Sequence, residues 1–495
     1  MSIEQASLRP RKKSWARTLR WPLIAGSVAT LLGGAGLWLA FVYAEPAPSE
    51  IIRYAERRLV GHPKLELFAL PVLHAWRAQV ERSVSGPLPS LGKGQQVAGL
   101  QHQAYRQNGQ PLPSGETLGA RGNLDHVSRK LLTSMDEIEH ALRHAQPGQV
   151  FEISPGTYSM TKSLQIRQGG APGRPIVLTA RVPGNVVIES SALEGFHVNA
   201  PFWVFENLVI IGKCREHGHC EHAFHVVGKA SGTVIRNNRI EDFNAQIKVN
   251  GLNGEFPDNG LVQFNTLINK SVRNTANPVT PIDIVAASNW QVVDNHISNF
   301  IKGDGNQISY GVFMKGGGRN GRIERNVIIG AVSNISQPGL RVGLSFGGGA
   351  TDANVCRDKQ CITEHTAGVA ANNIVAHCND FGIYVNTSNQ TLIAYNTLIN
   401  TLGIDVRFAA SSAIVYANLL DGLVRSRNGA QLEQGMNVRG ELASVFADAD
   451  RLQLAFRRRP AEVPAQGMIT NDFCLRLRAA TSLPGALASE LPCQN

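Results

Sequence analysis

Short runs of β-branched and apolar residues, separated by Asn and Gly turns, fill the chain from about residue 149 to residue 425. The first of these runs are QVFEI (149–153), SLQIR (163–167), RPIVLTA (174–180) and NVVIES (185–190). Runs of this length between turn residues are typical of short β-strands. Before them, Ser134 and Glu137 form the capping-box pattern S-x-x-E, which predicts a helix through about Ala145. The pattern therefore predicts an all-β domain preceded by one short helix.

An asparagine recurs within a similar local sequence along this domain. Its positions are Asn207, Asn238, Asn265, Asn295, Asn326, Asn373, Asn396 and Asn418, with spacings of 31, 27, 30, 31, 47, 23 and 22 residues. Repeats of this length indicate a solenoid. Each repeat carries two or three short strands and lacks both a leucine-rich signature and the four strands of a propeller blade. We therefore predict a parallel β-helix, in which stacked asparagine amides form a hydrogen-bonded ladder.

The longest spacing, 47 residues, contains GGGATDANVCRDKQC (347–361). Because one coil needs far fewer residues, this segment is predicted to protrude as a loop and fold over one face of the solenoid.

The N-terminal segment has a different pattern. Residues 1–20 carry six Lys or Arg against Glu4 alone (6 − 1 = +5), which is half of the formal net charge of +10. Residues 21–43 are uncharged and largely apolar, and 23 helical residues span about 34 Å, enough to cross a bilayer. The preceding basic residues predict a cytoplasmic N-terminus and place the rest across the membrane, in the periplasm or outside the cell envelope. The segment is either an uncleaved anchor or a signal segment that is cleaved, and both alternatives stay open.

The predicted organisation has five parts. They are a basic tail (1–20), a transmembrane anchor or signal segment (21–43), a helical region and linker (44–124), the β-helix (125–425) and a C-terminal capping segment (426–495). Beyond the tail, about +5 of charge is spread over 475 residues, and no nucleic-acid-binding motif is present. Nucleic acid is therefore not expected as a partner.

Seven cysteines fit an oxidising compartment. Three pairs are close in sequence (214/220, 356/361 and 474/493), which suggests three loop-closing disulfides and leaves Cys378 free. The first loop, CREHGHC, also carries His217 and His219, with His222 and His225 after it, so a metal site there is an alternative.

The strand pattern also predicts which side chains face outward. If apolar residues point inward, an outward column is formed by His225, Lys248, Asn250, Asp283, Lys315, Arg341, Tyr384, Asp405 and Arg407, with Gln246, Phe313 and Asn386 beside it. Stacked at about 5 Å intervals, this mainly cationic column would form a groove for a linear anionic polymer. A solvated strand face is the alternative.

Such a groove suits proton abstraction beside a carboxylate. A cation that neutralises a uronate carboxylate acidifies the C5 proton, and a Lys, His or Tyr can then remove it. Expulsion of the 4-linked sugar would make the protein a lyase, and reprotonation an epimerase. Glycoside hydrolysis needs two nearby carboxylates. Asp283 and Asp405 are separated by several coils, which disfavours it.

The stretch PGQVFEISPGTYSMTKSLQIRQGGAPGRPIVLTARVPGNVVIE (147–189) resembles the opening of right-handed β-helix polysaccharide lyases of the chondroitinase B and alginate lyase type. The PGTY turn, the G-x-P-I-x-L-x-A strand and the Asn-bearing coils carry the resemblance, over about residues 134–425. It implies a Lys base, an assisting Arg one coil later and a calcium ion held by acids. Lys315 and Arg341 are the nearest matches, although their contexts, Lys-Gly-Gly-Gly and Arg-Val-Gly, differ from the family's. Asp304 is the nearest acid before Lys315.

We therefore expect a right-handed parallel β-helix, anchored in the cell envelope, that acts on an anionic polysaccharide as a lyase or an epimerase. Lys315 would be the base and Arg341 the carboxylate partner, with calcium as a possible cofactor. A non-catalytic polysaccharide-binding or scaffold protein is the alternative function.

Overall fold

The computed structural model describes residues 69, 71–73, 75, 129–332, 339–348, 351–465, 467, 469–489 and 493. The chain divides into two compact units, residues 1–81 and 82–495, and every strand belongs to the second. The predicted tail and membrane segment lie outside the described residues, as does nearly all of the predicted helical region and linker. Within the described part of the chain, no helix combines the length and the apolar character needed to cross a bilayer.

Three long parallel sheets form the second unit. Sheet A has twelve strands: β1 (Arg129–Leu132), β2 (Val150–Ile153), β5 (Ile176–Ala180), β8 (Trp203–Glu206), β11 (Val234–Arg236), β14 (Leu261–Gln263), β17 (Gln291–Val293), β21 (Arg322–Glu324), β25 (Val369–Ala371), β29 (Thr391–Ala394), β32 (Ser412–Tyr416) and β35 (Gln431–Gly435). Sheet B has eleven: β3 (Gly156–Met160), β6 (Val186–Ser190), β9 (Val209–Gly212), β12 (Arg239–Glu241), β15 (Thr266–Ile268), β18 (His296–Ser298), β22 (Val327–Ile329), β26 (Ile374–Ala376), β30 (Thr397–Ile399), β33 (Leu419–Leu420) and β36 (Val438–Arg439). Sheet C has ten: β4 (Leu164–Ile166), β7 (Glu194–Val198), β10 (His222–Val227), β13 (Ala245–Asn250), β16 (Ile282–Val285), β19 (Ile308–Lys315), β23 (Leu340–Phe346), β27 (Ile383–Asn386), β31 (Gly403–Arg407) and β34 (Leu423–Arg427).

The remaining elements are short. They are α1 (Met135–His144), α2 (Leu442–Val445), a 3-10 turn (Ala353–Val355), a small parallel sheet of β20 (Gly318–Arg319), β24 (His365–Thr366) and β28 (Ser388–Asn389), and the antiparallel pairs β37 (Phe446–Asp448) with β38 (Gln453–Phe456) and β39 (Val463–Pro464) with β40 (Thr481–Ser482).

Strands follow one another in chain order within each long sheet, so each coil contributes one strand to A, then B, then C. This is a parallel β-helix, and the predicted all-β solenoid is confirmed. Its interior is one continuous apolar core of Ile, Val, Leu and Phe side chains contributed by all three sheets. The predicted strands at 149–153, 163–167, 174–180 and 185–190 correspond to β2, β4, β5 and β6.

The predicted asparagine ladder lies at the turn between sheets A and B. Each Nδ2 donates to the Oδ1 of the asparagine in the next coil, at 2.9–3.1 Å, from Asn238 through Asn418 to Asn437. Asn207 is the exception. In its coil the ladder position is occupied by Leu208, whose backbone N–H donates to Asn238 Oδ1. Asn207 instead has a left-handed backbone (φ 67°) and accepts from Asn237 at 2.6 Å.

The two ends of the solenoid are covered differently. Helix α1 buries Ile138, Ala141 and Leu142 against the first coils, and its N-cap Ser134 accepts from the Glu137 N–H, as the capping box predicts. At the other end, residues from Leu442 to Leu487 fold back over the outside of sheet B, where they pack on side chains of β22, β26, β30 and β33. Sheet C is not part of that contact.

The three predicted disulfides are present: Cys214–Cys220, Cys356–Cys361 and Cys474–Cys493, and Cys378 is a buried thiol outside them. The predicted loop after β23 is also confirmed. Arg357 in this loop donates two hydrogen bonds to Asp258, at 2.7 and 2.8 Å, and its backbone N–H donates to Gly316 O. These contacts hold the loop across the C-terminal ends of β13, β16 and β19.

Candidate functional site

The outer face of sheet C carries most of the residues predicted to form the groove. Pairing aligns one row across successive strands: His197, His225, Lys248, Asp283, Phe313, Ser345, Tyr384, Asp405 and Arg425. Five residues of this row belong to the outward column predicted from the sequence: His225, Lys248, Asp283, Tyr384 and Asp405. Lys315 lies two residues beyond Phe313 on the same face.

Two consecutive residues face the core in the middle of several sheet C strands. Examples are Gly195–Phe196, Ala223–Phe224, Gln246–Ile247, Gly311–Val312 and Gly343–Leu344. Side-chain alternation therefore changes phase along the strand, which a strict period of two does not predict. We call these positions the core-facing pairs.

This change of phase corrects the prediction for Arg341. Val342 lies with Tyr384 and Phe381 in an outer apolar cluster, so Arg341 points the opposite way and is 1% exposed. Arg341 also pairs with Ser309, six residues before Lys315, which corresponds to about 20 Å along the strand. Arg341 and Lys315 therefore do not form one site. Gln246 was predicted to face outward for the same reason, but it is fully buried.

Lys248, Asp283 and Lys315 form the central cluster of the face. Asp283 Oδ2 is 2.5 Å from Lys248 Nζ, and Oδ1 is 3.4 Å from Lys315 Nζ. Burial would raise the pKa of Asp283, but the two lysines outweigh it and lower that pKa to about 2. The acid is buried, whereas both lysine side chains remain about one-fifth exposed. The two ammonium groups are thus held side by side and open to a ligand.

A cavity of about 570 Å³ opens over these lysines. It is lined by Lys248, Asn250, Gly251, Val285, Tyr310, Phe313, Lys315, Gly348, Thr351, Asp352 and Val355. Residues 348–355 belong to the loop held by Arg357, so that loop forms one wall. Tyr310 stacks on Phe313 with ring centroids 4.2 Å apart, and Lys315 Nζ lies 4.0 Å from the Phe313 centroid. Phe313 is largely covered and packs near Gly348.

Two acids adjoin the cavity, Asp283 beside the lysines and Asp352 in the loop wall. Calcium takes six to eight oxygen ligands, but the Asp283 carboxylate already binds two ammonium groups. Asp304 precedes β19, whose far end carries Lys315, so more than about 20 Å separates them. In the described part of the chain, one group of three residues has ligand atoms close enough for a metal, and it contains two histidines.

That group lies two strands from Asp283, towards the N-terminal coils. Glu194 Oε1 is 2.8 Å from His225 Nδ1, and Oε2 is 3.1 Å from His197 Nδ1. These hydrogen bonds lower the pKa of Glu194. Nearby His222 is half-buried, and its desolvation lowers its pKa to about 4. His225 Nε2 also contacts Asn250 Oδ1 at 2.7 Å, which links this cluster to the cavity.

The sequence interpretation missed Glu194 and His197. A signal was available, since GFHV (195–198) and AFHV (223–226) are similar segments 28 residues apart, one coil, and place His197 beside His225.

The third cluster lies towards the C-terminal coils. Asp405 is fully buried and accepts hydrogen bonds from Arg425 (2.8 Å) and from Arg427 (2.8 Å), so it holds arginines rather than facing a ligand as predicted. Tyr384 accepts from Asn386, and burial raises the pKa of its hydroxyl. The Arg407 guanidinium lies 4.4 Å from the Phe408 ring.

Positive charge exceeds negative charge along this face. Apart from buried Arg341, the strands of sheet C carry five Lys or Arg and three acids, a difference of +2 with histidine neutral. The positive residues are Lys248, Lys315, Arg407, Arg425 and Arg427, and the acids are Glu194, Asp283 and Asp405. Asp283 and Asp405 lie four strands apart, about 19 Å, too far to act as the paired carboxylates of a glycosidase.

No protein-family model matches the chain, and no curated protein matches it. Among solved structures, pectate lyase Pel9A superposes with a TM-score of 0.51 and 14% identity, covering 70% of this chain and 90% of that one. A rhamnogalacturonan lyase gives a TM-score of 0.48 and 13% identity, covering 64% and 86%.

The chain has the fold of the β-helix polysaccharide lyases. At this level of identity the likeness concerns the fold, and it confirms the predicted resemblance there. The reaction has to be argued from the site.

Proposed function

We propose that this β-helix protein is an enzyme that acts on an anionic, uronate-containing polysaccharide at the cavity over Lys248 and Lys315. The supporting observation is the pair of lysines, held by one buried acid, that opens into a cavity on sheet C of a lyase-type fold. The excess of positive charge along sheet C would attract a polyanion and extend its binding beyond the cavity.

The two lysines are assigned different roles. Lys248, which lies closer to Asp283 (2.5 Å against 3.4 Å), is assigned to pair with the substrate carboxylate, the role first predicted for Arg341. Neutralising that carboxylate stabilises the negative charge that develops when C5 loses its proton. Lys315, held less tightly, is assigned as the base: its ammonium first releases a proton to solvent, and the resulting amine accepts the C5 proton. Departure of the 4-linked sugar then gives an unsaturated product, whereas reprotonation from the opposite face gives the epimer.

Binding without turnover is the second candidate. Asp283 and the Phe313 ring both stabilise the charged form of Lys315, which suits a cation that holds a polyanion better than a base. The fold and the groove would be the same in both cases.

The cell envelope remains the proposed location. Three disulfides favour an oxidising compartment, and residues 21–43 would supply the membrane attachment.

The deciding experiment measures turnover and binding separately in the Lys315→Ala variant. Full-length protein is incubated with polygalacturonate, alginate and glycosaminoglycans, and unsaturated product is followed by ultraviolet absorbance, with C5 exchange in heavy water for epimerisation. We expect Lys315→Ala to reduce turnover by about 1,000-fold, the range for loss of a general base, while binding weakens less than about tenfold. Lys248→Ala should weaken binding more.

Lys229→Ala serves as the matched control, since this exposed lysine follows β10 outside the cavity. Equal loss of turnover in the control would contradict the assignment to Lys315. Binding without product or C5 exchange on any polymer would establish the second candidate.

A further inference from the structure

Glu194, His197 and His225 bring three metal-ligand atoms together on the outer face of sheet C. Their donor atoms lie within 4.8 Å of one another, and the side chains are 16–23% exposed. Glu194 and His197 are three residues apart on one strand, where strict alternation would put them on opposite faces. The core-facing pair Gly195–Phe196 lies between them, so both reach the outer face.

Both ring nitrogens of His225 face oxygen atoms, Nδ1 towards Glu194 Oε1 and Nε2 towards Asn250 Oδ1. With Asn250 Nδ2 donating to Gly251 O, its Oδ1 faces the ring at 2.7 Å, and His225 Nε2 donates to it in this arrangement. In the neutral ring, Nδ1 then carries a lone pair that faces Glu194 Oε1 at 2.8 Å. Two facing lone pairs repel, so either a second ring proton or a metal ion lies between them.

A metal ion can be bound by all three donors at once, whereas one proton can be shared by only two of them. Nδ1 of His197 points to the same carboxylate, at 3.1 Å from Oε2. Ligands of a tetrahedral zinc ion lie about 2.0–2.2 Å from it and hence about 3.4 Å from each other. Because the three donor atoms lie within 4.8 Å of one another, side-chain movements of at most about 1.4 Å would bring them into coordination. The amide of Asn250 would act as the outer partner that fixes the tautomer of a metal-bound histidine.

The donor set also indicates the kind of metal. Two imidazoles and one carboxylate suit zinc or another divalent transition metal, whereas calcium prefers oxygen ligands throughout. His222 packs edge-on against His225, with ring centroids 5.0 Å apart, and limits the movement of that ring.

We propose that Glu194, His197 and His225 bind a divalent transition metal ion, with solvent completing its coordination. The ion would tie β7 to β10 and lie one strand from Lys248. Asn250 connects this site to the cavity, but metal binding here does not require the proposed polysaccharide chemistry.

The test is zinc binding by untagged full-length protein after chelator treatment. Calorimetry and metal analysis should give one tightly bound zinc, and X-ray absorption should show two imidazole nitrogens at about 2.0–2.1 Å. His197→Ala and Glu194→Gln should each weaken binding at least 100-fold, and Asn250→Ala about 10- to 100-fold, the usual range for an outer partner. Circular dichroism shows whether each variant is folded, and Glu194→Gln keeps the side-chain size.

His219→Ala is the matched control, because this exposed histidine belongs to the nearby Cys214–Cys220 loop. It should bind zinc like the wild-type protein. The proposal is overturned if zinc does not bind, if folded His197→Ala and Glu194→Gln bind it as the wild type does, or if only calcium binds.

Discussion

Asp283 lies between two lysines on the outer face of sheet C, and its ionised state depends on the folded arrangement of all three. Its pKa is lowered from 3.8 to about 2 because the attraction of Lys248 and Lys315 exceeds the cost of burial. A group whose pKa is lowered by folding stabilises the folded state above its unfolded pKa. That contribution is therefore fully present above about pH 4 and is lost as the pH falls towards 2.

Asp283→Asn should accordingly lower the free energy of unfolding by about 2 kcal/mol at pH 7, and the difference from wild type should shrink between pH 4 and pH 2. Urea unfolding of both proteins at several pH values measures this. Glu255→Gln, at an exposed loop position, should show no such trend. A difference that stays constant down to pH 2 would contradict the role assigned to the two lysines.

Residue-level prediction from the sequence succeeded where alternation is regular. His225, Lys248 and Asp283 were assigned to the outer face correctly, because apolar neighbours on both sides mark them, and Lys315 follows the apolar Met314. Arg341 and Gln246 were not, since the core-facing pairs shift the phase by one residue and no polar or apolar pattern signals the shift. The small residues Gly311 and Gly343 mark it only once the strands are stacked, when a Cβ on either would contact core side chains.

The asparagine ladder is the element that repeats most regularly, and it carries buried polar groups throughout. Asn295 donates to Asn326 Oδ1 and to the backbone oxygen of Val262, and accepts from Asn265. Removing one amide leaves buried donors and acceptors in both adjacent coils without partners. Removing the amide should therefore lower the free energy of unfolding by more than the loss of a single hydrogen bond does.

Asn295→Ala is expected to lower the free energy of unfolding by about 3 kcal/mol, from one or more unsatisfied buried groups. Chemical denaturation with circular dichroism measures the change. Asn185→Ala, at an exposed turn, should change stability by less than about 0.5 kcal/mol. Comparable losses in both variants would mean that the ladder has no special role.

The ladder also explains how much of the fold the sequence predicts. A buried asparagine once per coil is visible as a repeat, so the solenoid, its coil lengths and the protruding loop follow from spacing. Asn207 shares the local sequence but is one residue out of register, which spacing cannot resolve. Likewise, the contacts of residues 442–487 with sheet B bring together distant parts of the chain that share no pattern.

At the scale of the whole molecule, the C-terminal segment decides which face is open. Arg478 fixes part of it. Its guanidinium lies 3.8 Å from the Tyr395 ring and donates to Asn372 Oδ1 at 2.7 Å, although burial lowers its pKa to about 10. Among the described residues this segment packs on sheet B and, through Val463 and Ile469, on sheet A, whereas the cavity and its lysines lie on sheet C.

Arg478→Ala should release the segment without unfolding the coils. We expect faster amide hydrogen exchange in β26 and β30, by at least about tenfold, and unchanged exchange in β7 and β10. Leu477, in the same segment and 81% exposed, provides a control, since Leu477→Ala should leave exchange unchanged in all four strands. Uniformly faster exchange throughout the domain would instead show that the segment and the coils unfold as one unit.

Strand order in the three long sheets has a consequence for biogenesis. Every pairing in these sheets joins one coil to the next in the chain, so a coil needs nothing C-terminal to it in order to dock on its predecessor. A polypeptide emerging progressively, N-terminus first, can therefore build the solenoid vectorially, with α1 and the first coil as the template. The segment that covers sheet B arrives last, after the surface it protects is complete.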